Sequence, residues 1–202
     1  MQDDDLTHQW QLALAGDRTS FQALLDGTYG LMFQYGCKFT RDRELVKDGI
    51  QDVFLEIFEK RATINADIPP KAYLLASLRR RLHRLGERQR WVVLEEDLPE
   101  QEGFGIEMSF EHHLIHSETT RDEADQLARL INQLPARQQE ALYLRFFQGL
   151  ERDDIAYLMD IQPQSVSNLQ QEAFKWLRLQ WKPFMGLFPL ILPALLFFEK
   201  KI

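Results

Sequence analysis

The sequence predicts an all-α protein: two helical domains joined by an acidic linker. Three observations predict it. Apolar residues recur every three and four positions, and strand-like alternation is absent. Charge reverses in mid-chain, from an arginine-rich stretch to an acidic one interrupted by Pro99, Gly103 and Gly105. The stretch from Leu134 to Arg178 has the spacing of helices that cross at a tight turn. The expected divisions are a first domain at 5–91, a linker at 92–119, a second domain at 120–182 and an apolar tail at 183–202.

The composition sets bounds. A chain of 202 residues makes one or two ordinary domains. The net charge of −7 argues against a nonspecific nucleic-acid coat, but the charge is unevenly spread. The single cysteine, Cys37, excludes an internal disulfide framework and a cysteine-built zinc site. Its apolar helical context predicts a buried, inert thiol. The opening MQDDDLTHQW is acidic and lacks an apolar run, so it is not a signal peptide, and a cytoplasmic protein is expected.

The elements follow in order. A short helix is expected at about 6–15, ended by Gly16, with Asp17 able to cap the next. Two further helices are expected at about 17–26 and 29–39. Thr40 and Asp42 can cap a long helix ending near residue 61. One face of that helix is an apolar stripe of Val46, Ile50, Val53, Phe54, Ile57 and Phe58. The other face carries Asp48, Gln51, Asp52, Glu56 and Glu59. It reads either as a solvated face or as an acidic docking surface for a basic partner.

Pro69 and Pro70 open the next helix, at about 71–90. Leu74, Leu78, Leu82 and Leu85 make its core stripe. Its outer face is basic: Lys71, Arg79, Arg80, Arg81, Arg84, Arg88 and Arg90, with Tyr73 and Trp91 at the flanks. Arginines beside aromatics can take phosphates and stack on unpaired bases. The alternative is a solubilising face.

From Val92 to Gln126 almost every charge is acidic, and residues 92–109 read as linker. His112 and His116 stand one helical turn apart, with Glu111 and His113 beside them. No other strong ligand set supports them, so no metal site and no cofactor are expected. A helix at about 120–134 leads into the second domain. The tail at 183–198, PFMGLFPLILPALLFF, has no charge but three prolines, and it is shorter than the roughly 20 residues a spanning helix needs. It can pack on its own domain, dock into a partner or touch a membrane.

The stretch that organises the chain is QLPARQQEALYLRFFQGLERDDIAYLMDIQPQSVSNLQQEAFKWLR. A helix is expected at about 135–147, stopped at Gln148 and Gly149, where glycine suits a left-handed end. A short helix follows at about 151–159, then a turn at Asp160 and Ile161, then a helix from about 163 to 180. Ala156 is small enough for close crossing. Asp160 tolerates the left-handed turn better than most residues. Val166 closes the joint, with Ile155, Leu158, Met159 and Leu169 filling the core. The spacing fits a DNA-reading helix-turn-helix or a plain αα-hairpin.

Taken together, these segments resemble a bacterial sigma factor of the extracytoplasmic-function group, in the sigma-70 family. GDRTSFQALLDGTYGLMFQYGCKFTRDRELVKDGIQDVFLEIFEKR and KAYLLASLRRRLHRLGER resemble the family's region 2. The stretch from Leu134 resembles region 4. The resemblance covers about 5–178, apart from the linker. It implies a non-enzymatic subunit that binds the RNA polymerase core and directs promoter-specific initiation. Asp48, Gln51, Asp52 and Glu56 would bind core polymerase. Tyr73, Arg79, Arg80, Arg81, Arg84 and Arg88 would grip the melting −10 element. Gln164, Ser165, Ser167, Asn168, Gln171 and Lys175 would lie in or beside the major groove of the −35 element, where Gln and Asn can pair with adenine edges. An anti-sigma factor, often membrane-bound in this group, is a further implied partner. Two departures stand out: Arg80 where the family usually has Asn, and Ser167 where it usually has Lys or Arg. The sparse basic charge of the last helix predicts weak free binding to −35 DNA. The competing reading is a stand-alone dimeric helix-turn-helix regulator, its dimer made by the apolar tail.

Overall fold

The computed structural model describes residues 3–90 and 126–180. The linker, the His112–His116 cluster, the apolar tail and the side chain of Arg88 lie outside the described residues. Every regular element among the described residues is helical, as the periodicity predicts. None of these helices is long and apolar enough to cross a membrane.

Helix α1 (Asp3–Leu14) ends at Gly16, and Asp17 caps α2 (Arg18–Gly36) by accepting from the Ser20 amide at 2.7 Å. The expected pair of helices at 17–26 and 29–39 is in fact this one helix. Leu24, Thr28, Met32 and Tyr35 form a single buried face across the junction. Thr28 Oγ1 also donates back to the Leu24 carbonyl at 2.7 Å, so its hydroxyl is satisfied inside the helix. Burial of that face outweighs the roughly 1 kcal/mol that Gly27 costs in a helix interior.

Helix α3 (Arg43–Lys60) starts at Asp42, whose carboxylate accepts from the Glu44 and Leu45 amides at 3.0 Å. The expected stripe is buried except at its end, where Phe58 is exposed and packs edge-on against Phe21. A 3₁₀ turn (Arg61–Thr63) leads to α4 (Pro70–Arg90). Leu74, Leu78 and Leu82 are buried as expected, while Leu85 is half-buried. Cys37 is half-buried rather than enclosed. The C-terminal end of α2 approaches the other two helices closely. A Cβ on Gly36 would come within 2.5 Å of Val46.

The second half begins with helical residues 126–131, followed by α5 (Ala136–Phe146), α6 (Arg152–Met159) and α7 (Pro163–Gln180). Buried Gln139 donates to the carbonyls of Asn132 and Leu134, tying off the turn before α5. Gly149 has φ +67°, the left-handed stop expected of it. Arg145 clamps the loop that follows, through the Leu150 carbonyl at 3.0 Å and Glu151 at 2.8 Å. The two halves touch: α4 packs along α6, and buried apolar residues of both halves form one cluster.

Candidate functional site

The helix-turn-helix is built as its spacing requires. Asp160 has φ 55° and ψ 55°, and its backbone amide caps α6 on Ala156 and Tyr157. Ile161 donates to the Ala156 carbonyl at 3.1 Å. Ala156 and Val166 are buried at the crossing, with Ile155, Leu158 and Met159 around them, and Leu169 is half-buried. Helix α7 turns Val166, Gln170, Ala173 and Leu177 inward. Gln164, Asn168, Gln171 and Lys175, spaced four, three and four apart, share one exposed face. Gln164 donates to Asn168 at 3.1 Å, while Ser165 and Ser167 are half-buried at the edge of the row. Glu172 accepts from Gln138 of α5 at 3.2 Å, which draws it off the row. The face carries amide donors and acceptors, with little positive charge.

The acidic face lies on α3. Asp48, Gln51 and Glu56 are exposed on it. The Glu56 carboxyl lies below its ordinary range, chiefly because it accepts a hydrogen bond from Lys60 at 2.7 Å. Asp52 differs from the others: it is half-buried and ion-paired to Arg81 of α4. Sequence reasoning missed Leu55, which is 52% exposed among these polar residues. The signal was present, since Leu55 falls outside the buried apolar stripe.

The basic helix α4 divides its arginines. Arg80 and Arg84 are exposed. Arg81 is held by Asp52. Tyr73 is half-buried, its ring 5.2 Å from that of Trp10, and burial pushes its phenol upward. Arg79 points into the junction between the halves. Its Nε and Nη2 donate to the two carboxylate oxygens of Glu140 at 2.8 and 3.3 Å. The Tyr35 hydroxyl donates to the same carboxylate at 2.7 Å. Glu140 is 2% exposed and Tyr35 is fully buried. Burial lifts the Tyr35 phenol well above its ordinary value, and Glu140 adds to this. For Arg79, burial opposes the charge, but the charge and hydrogen bonds of Glu140 outweigh it and the guanidinium stays firmly protonated. Around this trio Tyr35 stacks on Tyr143 at 6.2 Å, and Lys71 Nζ donates to the Gln148 carbonyl at 3.2 Å.

The structure therefore brings together the four exposed members of the α7 row, and separately Asp48, Gln51 and Glu56. It ties Asp52 to Arg81 and separates Arg79 from Arg80 and Arg84. Glu140 was not singled out from sequence. It shares a helix face with Tyr143 and Leu144, both buried, and a carboxylate on such a face calls for a charged partner. Among the described residues no group of His, Cys, Asp and Glu is placed to hold a metal.

Residues 124–177 match the family model described as "Sigma-70, region 4". A search of curated proteins finds no match. Among solved structures, that of CnrH in complex with the cytosolic domain of CnrY matches with a TM-score of 0.57 at 15% identity, over 88% of this chain and 97% of that one. A structure of the RsbN–BldN complex matches at 18% identity over 84% of this chain and 96% of that one, with a TM-score of 0.35, too low to bear on the fold. The family match and the shared helical fold support the resemblance read from the sequence.

Proposed function

We propose that this chain is an RNA polymerase sigma factor of the extracytoplasmic-function group, which binds core polymerase and directs it to promoters. The observation that carries this reading is the region 4 match, which falls on a helix pair with helix-turn-helix geometry and an exposed row of amide side chains. In this reading Gln164, Asn168, Gln171 and Lys175, with Ser165 and Ser167 at the edge, meet the −35 element. Arg80, Arg84, Arg88 and Tyr73, with Arg81 and Arg79 once they are free of Asp52 and Glu140, meet the −10 element. Asp48, Gln51 and Glu56, with Asp52 beside them, receive the core polymerase, and exposed Leu55 adds an apolar contact at the centre of that face. The subunit directs the polymerase's chemistry and contributes no reacting group of its own. The domains would be 5–91 and 120–182. An anti-sigma factor is the expected regulator, a reading supported by the likeness to CnrH, which was solved with a cytosolic domain as its partner.

Binding to bacterial core polymerase tests this. The control is Asp48→Arg with Gln51→Arg, because both side chains are exposed, whereas Asp52→Arg would also place a second cation against Arg81. Wild-type binding that the double variant loses, with an unchanged unfolding midpoint, supports the assignment. Failure of the wild type to bind core polymerase, or to support transcription from any promoter with it, defeats the reading.

A further inference from the structure

The most exposed apolar residues of the second half gather at one end of it. Phe146 and Phe147, 46% and 48% exposed, are the two most exposed aromatic rings among the described residues, and they are neighbours at the C-terminal end of α5. Phe146 packs edge-on against half-buried Phe174 of α7, with ring centroids 5.7 Å apart, and Phe147 stacks on buried Tyr143 at 5.5 Å. Each ring is thus seated on the fold by one side, and much of its other side faces water. Leu179, 56% exposed, stands next to the last residue of α7. Phe146 closes α5 and meets Phe174 in the last two turns of α7, so the C-terminal ends of both helices lie together. This is the end from which residues 181–202 continue, and 183–198 carry no charge.

We propose that the apolar tail folds back over Phe146 and Phe147 and completes the outer wall of the second half. The tail can reach them. From Phe174 to Gln180 the helix rises about 9 Å. An extended chain spans about 3.3–3.6 Å per residue, so about three residues retrace that distance. Pro183 stands at that point. A proline disfavours helical backbone in the residue before it, so the sequence stops α7 where the chain has to turn. Pro189 and Pro193 then bar one continuous helix, which suits a run that follows a curved surface in short pieces rather than one that inserts as a rod. Both sides gain from the contact. The phenylalanine faces and the uncharged run leave water together, and neither is an ordinary surface for a soluble chain. The inference is independent of the sigma-factor reading, since it concerns what closes the second half whichever partner α7 meets.

The test is nuclear magnetic resonance of the full chain without detergent, with methyl-labelled Ile and Leu and protonated Phe in a deuterated background. Light scattering identifies the monomer. Cross-peaks are expected in the monomer between the rings of Phe146 and Phe147 and the methyl groups of Leu187, Leu190, Ile191 or Leu192. Phe146→Ser with Phe147→Ser, both at exposed positions, should shift those tail methyls to the values of a solvated chain. Leu190→Asp with Leu192→Asp acts from the tail side and decides the matter if the phenylalanine pair does not fold. It should speed amide hydrogen exchange at residues 142–147 on the order of tenfold while leaving exchange in α3 unchanged. Joining the two pairs of substitutions should add little to either alone, because both break one contact. Absence of the cross-peaks in the wild-type monomer overturns the proposal. So does their appearance only in a dimer, or tail methyls that leave water only on vesicles of phosphatidylcholine and phosphatidylglycerol. Unchanged exchange at 142–147 in the folded aspartate variant overturns it as well.

Discussion

Replacing glycine by alanine at two positions of α2 should have opposite effects. At Gly30 a Cβ would meet nothing within 4 Å. Gly30→Ala should therefore stabilise the chain by about 0.5–1 kcal/mol, the entropic gain in a helix interior. At Gly36 the Cβ would come within 2.5 Å of one Val46 methyl and 3.5 Å of Leu78 Cδ2. Val46 is fully buried, and a β-branched side chain has few rotamers to escape into. Overpacking of this kind costs about 1–3 kcal/mol. The helical gain at the last residue of α2 offsets part of it, so Gly36→Ala should destabilise by roughly 1–2 kcal/mol. Urea unfolding followed by far-UV circular dichroism measures both, and the slope should stay constant if only stability has changed. Since Tyr35 precedes Gly36, the second variant should also loosen the junction at Glu140. A Gly36→Ala chain as stable as Gly30→Ala would show that α2 does not approach α3 and α4 as described.

Three further outcomes are expected. Asp160→Val should lower stability by about 1–2 kcal/mol, because the residue is left-handed, while Asp160→Gly should be close to neutral; chemical denaturation measures both. Lys175→Ala should weaken promoter binding by the polymerase-bound chain similarly on all −35 sequences and reduce its salt slope by about 1, as loss of one phosphate contact does, whereas a loss confined to particular sequences would show that Lys175 reads bases. Tyr35 should be the last tyrosine to ionise in an alkaline titration followed by ultraviolet absorbance. Its folded value is raised, so its contribution to stability is intact below about pH 10, the unfolded value, and is lost as pH rises through the folded value. Ionisation of all tyrosines together near pH 10 in the folded chain would contradict its burial.

Local signals in the sequence were reliable where the physics is local. Caps at Asp17 and Asp42, the left-handed stop at Gly149 and the turn at Asp160 each follow from a residue's own conformational preferences. The α7 row follows from helical period alone. The break expected near Gly27 did not occur, because one buried face running from Leu24 to Tyr35 outweighed the glycine, and that face needs α3 and α4 to be present. The ion pairs were illegible for a related reason. Periodicity says which face a residue occupies but not what that face meets. Asp52 and Arg81 were assigned to separate surfaces, yet they neutralise each other across α3 and α4. Arg79 looked like its exposed neighbours because its partner stands in the other half of the chain.

The trio of Tyr35, Arg79 and Glu140 also limits how this sequence can drift. The three sit on three helices, and Tyr35 and Glu140 are 105 positions apart. Neutralising Glu140 alone leaves a cation mostly out of water, and changing Arg79 alone leaves a buried carboxylate with only a phenol to satisfy it. Single steps away from the trio are therefore steep. A paired change to two apolar residues of similar volume is shallow, because such replacements are often as stable as the ion pair they displace. Among descendants of this chain Arg79 and Glu140 should be kept together or lost together, and where both are lost, Tyr35 has no further reason to keep its hydroxyl.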